Sequence, residues 1–340
     1  MASYIIRRCL LGIVVLAGVS VLAFVLTRLV PSDPAARWVG PHARSEQIAA
    51  ARVKLGLDKP LYVQYMRYVG SLLHGDLGVS IWTHQPVLQD ILTYLPASLE
   101  LILFGMLIAL CIGVPLGIVS AARSGRALDH ASRLFSVAGV ALPAFWLGMI
   151  LQLLFFKELR WFPLAGRLDL ATSLASPIRN ATGFYVIDSL ISGNLRAFVS
   201  SLWHLILPGI ALAAYPTGML ARMTRATMLQ VLGEDYVRTP RAYGQREIRI
   251  LTRHALRNAM GPVVTLYALA FAYSLVETFL IESVFAWPGL GYYASNAIMV
   301  VDYPAVMGVT ILVAFAYVVL NLLADLTLAF LDPRVRLSQP

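Results

Sequence analysis

Residues Arg222 to Pro262 read RMTRATMLQVLGEDYVRTPRAYGQREIRILTRHALRNAMGP and separate two long apolar segments. They carry eight arginines, Arg222, Arg225, Arg238, Arg241, Arg246, Arg249, Arg253 and Arg257, against three acids, Glu234, Asp235 and Glu247. Positive charge between membrane spans resists translocation, which places such a loop in the cytoplasm. The stretch is long enough to form helices of its own, and the topology on either side is counted from it.

Composition sets the class. The chain of 340 residues is 59% hydrophobic and 13% charged, with a mean hydropathy of +0.73. Such apolarity excludes an ordinary soluble domain and fits a polytopic membrane protein. The net charge of +9 is unevenly spread. Segments assigned to the cytoplasm hold fifteen Lys+Arg and five Asp+Glu, whereas the remainder holds twelve and thirteen. That asymmetry is a topology signal, so a lipid bilayer is the expected partner and nucleic acid is not. Cys9 and Cys111, the two cysteines, offer neither a disulfide framework nor a CxxC pair, and packing is the expected role of both.

Working outward from the loop, the apolar runs predict an all-α protein with six transmembrane helices and both termini cytoplasmic. Residues 1–30 begin with Arg7-Arg8 and then run apolar for longer than a signal-peptide core, which predicts an uncleaved first helix. Residues 31–95 read as a folded extracytoplasmic segment with a short helix from Ser45 to near Gly56 and an amphipathic one from Gln64 to Leu73. The further spans are placed at Ala97–Ala122, Leu134–Phe156, His204–Leu220, Val263–Ile281 and Ala305–Leu328. Residues 123–133 form a short basic turn, and 157–203 a second outer loop, whose Asn180-Ala-Thr sequon is read as chance. The aromatic, Gly- and Pro-rich stretch before the last span is expected to dip partway into the membrane or pack at its outer edge. The layout thus has a five-helix core over 96–332 and a cytoplasmic tail over 333–340.

Chemistry is sparse. The phosphate-cradling GxxxxGK[ST] loop is absent, so this chain is not expected to hydrolyse ATP. Six scattered histidines form no HExxH pair, and there is no GxSxG elbow; no enzyme, metal site or cofactor is expected. An ion-coupled carrier would bury charge at mid-membrane. Of Glu100, Glu277, Glu282 and Asp325, only Glu277 lies deep in a span, where a proton relay and a carboxylate bonded to a neighbouring helix both remain open.

Within the long loop, Glu234 and Asp235 suit the positive end of a helix dipole, and Gly244 suits the left-handed residue that stops a helix. After it, Arg246, Arg249, Arg253 and Arg257 recur at helical spacing, with Ile248, Leu251 and Ala255 on another face. The loop therefore reads as helix, turn, helix. Two roles fit it equally: a basic surface on anionic headgroups, or a docking piece for a cytoplasmic protein.

Further motifs carry a resemblance. EDYVRTPRAYG and RHALRNAMGPVVT, with LVPSDPA at 29–35, LGLDKPLYVQYMRYVGSLLHGDLGVS at 55–80, VETFLIESVFAWPGLG at 276–291, DYPAVMG at 302–308 and NLLADL with LDPRVR at 321–336, recur in order along nearly the whole chain. The sequence resembles permeases of binding-protein-dependent ABC importers, specifically the dipeptide/oligopeptide/nickel branch and most closely its dipeptide members. The resemblance implies the type I ABC importer permease fold. It also implies a second homologous permease subunit, two cytoplasmic ATP-binding subunits and an extracytoplasmic substrate-binding protein. It places the coupling to the ATPases at Glu234, Asp235, Arg238, Thr239, Pro240, Arg241, Ala242 and Gly244, and implies transport of dipeptides or oligopeptides. Nickel chelates, oligosaccharides or another small solute are alternatives on the same machine, and an ion-coupled secondary carrier is the alternative of another class. Pro240 and Tyr243 depart from the family's usual Ala and Lys. Because proline is tolerated at a helix start, a helix beginning or breaking at Pro240 with Thr239 as its N-cap is predicted.

Overall fold

The computed structural model describes residues 2–29, 33–40, 42–54 and 56–331; the tail 333–340 with Arg334 and Arg336 lies outside the described residues. The chain is built from helices in the order α1 (Ala2–Leu29), α2 (Pro34–Val39), α3 (Ser45–Lys54), α4 (Leu61–Leu73) and α5 (Val87–Ala122). There follow α6 (Ala127–Ala141), α7 (Ala144–Leu151) with a π-helical continuation over Gln152–Glu158, α8 (Leu170–Ala175), α9 (Tyr185–Ile191) and α10 (Leu195–Leu232). After α11 (Asp235–Ala242) come α12 (Glu247–Arg249), a π-helical stretch Ile250–Ala255, α13 (Leu256–Val284), α14 (Leu290–Met299) and α15 (Tyr303–Leu331). Among the described residues the only extended pairing is the single bridge Val79–Pro86. This is the all-α polytopic architecture expected from the apolar runs.

Among the described residues, five helices are long and apolar enough to cross a membrane: Ile6–Arg28, Val87–Ala122, Leu195–Leu232, Glu247–Val284 and Tyr303–Leu323. At about 1.5 Å per residue, the 36–38-residue members reach well beyond a ~30 Å hydrocarbon core. The predicted second span therefore starts ten residues early, at Val87, and runs through Pro96. The predicted third span, Leu134–Phe156, is not continuous. α6 and α7 bend by 104° at Leu142–Pro143, and only if this pair counts as one span are there six. Pro143 forces its predecessor out of the helical region, and Leu142 is extended at φ −87°, ψ 129°.

The chain divides into two compact units, Met1–Pro96 with Pro288–Val318, and Ala97–Trp287 with Val319–Pro340. In the first, Phe24 meets Tyr65 edge-on at 5.4 Å and stacks on Tyr68 at 6.2 Å, with Ala23 and Met307 in the same cluster. Burial pushes the Tyr68 hydroxyl up to about 12. A polar network fixes the other end of this unit. The buried Asp302 carboxylate accepts from Ser80 Oγ at 2.6 Å, Trp82 N at 3.0 Å and Ala305 N at 3.2 Å. Through the last of these it caps α15. Asp302→Ala leaves those donors unanswered in a buried site and is expected to cost about 2 kcal/mol, readable as a lowered Tm in detergent.

In the second unit, α10 is the hub. Its small residues let other helices approach backbone to backbone, the usual way helices associate where lipid removes a hydrophobic drive. A Cβ on Gly139 would lie 2.7 Å from the Ala214 carbonyl oxygen, and one on Gly218 only 2.5 Å from that of Ser136. The core proper joins Leu101, Ile102 and Met106 of α5 to Leu205, Leu207 and Leu212 of α10, with Phe285 and Trp287. Glu100, expected merely near an outer edge, is buried and paired with Arg167 of the outer loop. The Arg167 guanidinium also lies 3.7 Å over the Tyr185 ring.

Candidate functional site

The long basic loop is assembled from two helix ends and one short helix. α10 ends at Leu232, with Gly233 as its C-cap. Glu234 is extended at φ −74°, ψ 145° and is the N-cap of α11, placing Asp235 in the first turn beside the positive end of the dipole. The helix therefore begins five residues before Pro240. Thr239 is not its N-cap; its hydroxyl donates back to the Asp235 carbonyl at 3.2 Å. Pro240 is tolerated inside because α11 has only eight residues and Pro240 is the sixth. It removes the donor to the Tyr236 carbonyl but lies in the closing turn.

That turn is a complete Schellman motif. Gly244 sits at φ +72°, its N–H bonds the Arg241 carbonyl at 3.1 Å, and the Gln245 N–H bonds the Pro240 carbonyl at 3.1 Å. Across it, Arg241 grips Glu247 in a two-point pair, Nη2–Oε1 2.6 Å and Nε–Oε2 3.2 Å. The Glu247 carboxylate raises the Arg241 guanidinium above its ordinary range. Both side chains are about half exposed. Exposed pairs contribute little, so Glu247→Ala is expected to change global stability by less than about 1 kcal/mol, checked by Tm, while loosening the angle between α11 and α12.

Only Val237 of α11 is buried, at 0% exposure, as the helix packs on the π-helical stretch. The Tyr236 hydroxyl accepts from Asn258 Nδ2 at 2.9 Å. Glu234, Asp235, Arg238, Thr239, Arg241, Ala242 and Gly244 are exposed and Pro240 half-buried. The residues singled out in the sequence thus share one short helix and its two caps. That helix is anchored by a valine, a tyrosine and an ion pair, and displayed to its surroundings on all other sides.

The following basic segment keeps Arg246, Arg249, Arg253 and Arg257 exposed, and Leu251 and Ala255 of the expected apolar face are buried, together with Ile250 and Ala259. Ile248 departs from that face at 63% exposure, just before the π-helical stretch adds a residue to the turn.

The sequence reading missed what holds α10 in place. Asp129, in the short basic turn 123–133, is 1% exposed. It accepts from Ser120 Oγ at 2.6 Å, Gly125 N at 2.9 Å, and Arg225 Nε and Nη2 at 2.7 and 2.9 Å. One carboxylate thereby ties the end of α5, the turn and the start of α6 to α10, the helix that runs on into the loop. The signal available was that Asp129 is the single acid in that turn. Glu277, by contrast, has its Oε2 buried with no hydrogen-bond partner among the described residues. Among the described residues there is no group of three or more His, Cys, Asp or Glu side chains placed to hold a metal ion.

Comparison with known proteins gives the class. Residues 113–337 match the binding-protein-dependent transport system inner membrane component family, and residues 1–102 match that system's N-terminal membrane component. The chain belongs to this family of multi-pass inner-membrane transport components. Among curated relatives it is 44% identical over 333 residues to a probable D,D-dipeptide transport system permease of Escherichia coli K12, covering 98% of this chain and 97% of that one. It is 43% identical over 337 residues to a di/tripeptide transport system permease of Pseudomonas aeruginosa, covering 99% of each. It is also 37% identical over 336 residues to an oligopeptide transport system permease of Bacillus subtilis, covering 98% and 99%.

Proposed function

We propose that this chain is the transmembrane permease subunit of an ATP-driven importer of dipeptides or oligopeptides. The observation that carries this reading is α11: an eight-residue helix, closed at its C-terminal end by the Gly244 turn and exposed except at Val237 and Pro240, in a chain without a phosphate-binding loop of its own. A helix so braced and so uncovered suits insertion into a groove on another protein. In this reading the loop and both termini are cytoplasmic, and Glu234 to Gly244 couple two partner ATP-binding subunits to the spans. A second homologous permease completes the path. An extracytoplasmic binding protein docks on segments 31–95 and 157–203. Closure of the ATPases on ATP displaces α11, and α10, held by Asp129, carries the displacement into the spans to alternate their access. The relatives' names support peptide as the solute.

The test is ATP turnover and uptake by the purified complex in liposomes. Loaded binding protein is expected to stimulate ATP hydrolysis and peptide uptake together. Gly244→Val puts a β-branched residue at φ +72°, which costs about 1–2 kcal/mol locally. It is expected to cut stimulated uptake roughly tenfold while basal ATP hydrolysis continues. Uptake that persists without ATP and stops when the ion gradient is collapsed would instead establish a secondary carrier.

A further inference from the structure

Glu277 occupies a position that neither packing nor lipid explains. It lies four residues, about 6 Å, inside the Ile281 end of the apolar run 263–281, so it sits within hydrocarbon depth. α13 has one buried face, made by Ala270, Ser274, Thr278, Ile281 and Glu282. The large side chains of its other face are exposed, Leu269 by 37%, Tyr273 by 54%, Val276 by 59% and Leu280 by 48%, although the small Ala272 beside them is buried. Glu277 is half-buried at the boundary between the two faces, within about 40° of Tyr273 around the helix at ~100° per residue. The other described acids of this unit's spans are answered within the chain: Glu100 by Arg167, Asp129 by Arg225 and Glu282 by Ser98. Glu277 Oε2 has no such partner.

A carboxylate at this depth is too costly to face lipid tails and marks a face turned toward protein or water. A proton relay would need further titratable groups in succession, and among the described residues none hydrogen-bonds to Glu277 Oε2. We infer that the Tyr273–Val276–Leu280 face of α13 borders the aqueous path of the importer, and that Glu277 receives the α-ammonium of a passing peptide. This rests on the importer reading above. A peptide supplies the missing cation at one end, and its side chains meet a wall of one aromatic and several aliphatic residues that discriminates weakly. The carboxylate then orders the peptide amine toward α13 while leaving the side chains free to vary.

The experiment uses the assembled transporter in liposomes, with exposed Cys9 and Cys111 first replaced by Ser. Val276→Cys and Glu277→Cys are each treated with a membrane-impermeant methanethiosulfonate reagent. Both thiols are expected to react from water, faster in one nucleotide state than the other, and more slowly in the presence of dipeptide and its binding protein. Glu277→Gln is expected to lower kcat/KM for dipeptide uptake about tenfold, with Glu277→Asp restoring part of it. Val276→Cys removes no charge and separates access from folding. Thiols that stay unreactive in every nucleotide state, or that cross-link to the neighbouring permease across a dry interface, overturn the inference, as does wild-type uptake by Glu277→Gln. A wild-type complex that takes up no peptide defeats the importer reading instead, and the labelling still shows whether this face is wet.

Discussion

Asp129→Ala is expected to destabilise the protein by about 3 kcal/mol, because it strips a buried site of the acceptor for four donor atoms. Arg225, whose side chain is 23% exposed, keeps some access to water, which holds the cost near the low end for a broken buried pair. Asp129→Asn retains one acceptor oxygen, enough for Ser120 or Gly125 but not both, loses the charge that answers Arg225, and should cost somewhat less than Asp129→Ala. Arg225→Met leaves the carboxylate with Arg133 alone, whose Nε lies 3.9 Å away, and should cost less than Asp129→Ala. The double variant Asp129→Ala with Arg225→Met is expected to cost clearly less than the two single losses added together. Thermal unfolding in detergent reads the whole cycle, and additive losses would mean that the two side chains do not act as a pair. Because α10 leads into the loop, the single variants should also weaken ATP-stimulated uptake more than their loss of folded protein accounts for.

The second large effect is expected at Gly218. A Cβ there meets the Ser136 carbonyl oxygen at 2.5 Å and Val140 Cγ2 at 2.9 Å. The first obstacle is backbone and cannot rotate away, so α6 and α10 must separate. Gly218→Val should therefore cost about 3 kcal/mol, at the upper end of overpacking, and reduce the folded fraction recovered after extraction. Gly18→Val, within α1, is the matched control: a Cβ there meets nothing within 4 Å. Equal behaviour of the two variants would mean that the close approach of α6 to α10 is absent in solution.

These two sites also show where the sequence stops being legible. The apolar runs and the arginine count place the spans and the loop because both signals are local and strong, and a helix that ends at Gly244 follows from the one residue suited to φ +72°. Asp129 and Arg225 are 96 residues apart, as Glu100 and Arg167 are 67 apart, and no local pattern announces such partners. Pro240 misleads for a different reason. Its preference for a first turn is real, but Glu234 and Asp235 nucleate the helix earlier, and the Schellman turn gives the Pro240 carbonyl a partner. Ile248 is misplaced by one unforeseen π-helical stretch, since helical spacing predicts a face only while the turn keeps 3.6 residues. Pro143 is visible as a breaker, yet whether it kinks a span or turns it through 104° depends on packing around Leu142.

The central claim is that α11 is where this chain meets its ATPase partners. Tyr243, the C-cap of α11, is 84% exposed, and its substitution disturbs no contact of the loop apart from its own side chain. In a Cys9→Ser, Cys111→Ser background, Tyr243→Cys treated with a short bifunctional thiol reagent should cross-link to an ATP-binding subunit, with a yield that changes between nucleotide-free and ATP-bound complexes. A bulky maleimide on the same thiol should abolish stimulated uptake. No cross-link in either state, together with full uptake after bulky labelling, would contradict the account.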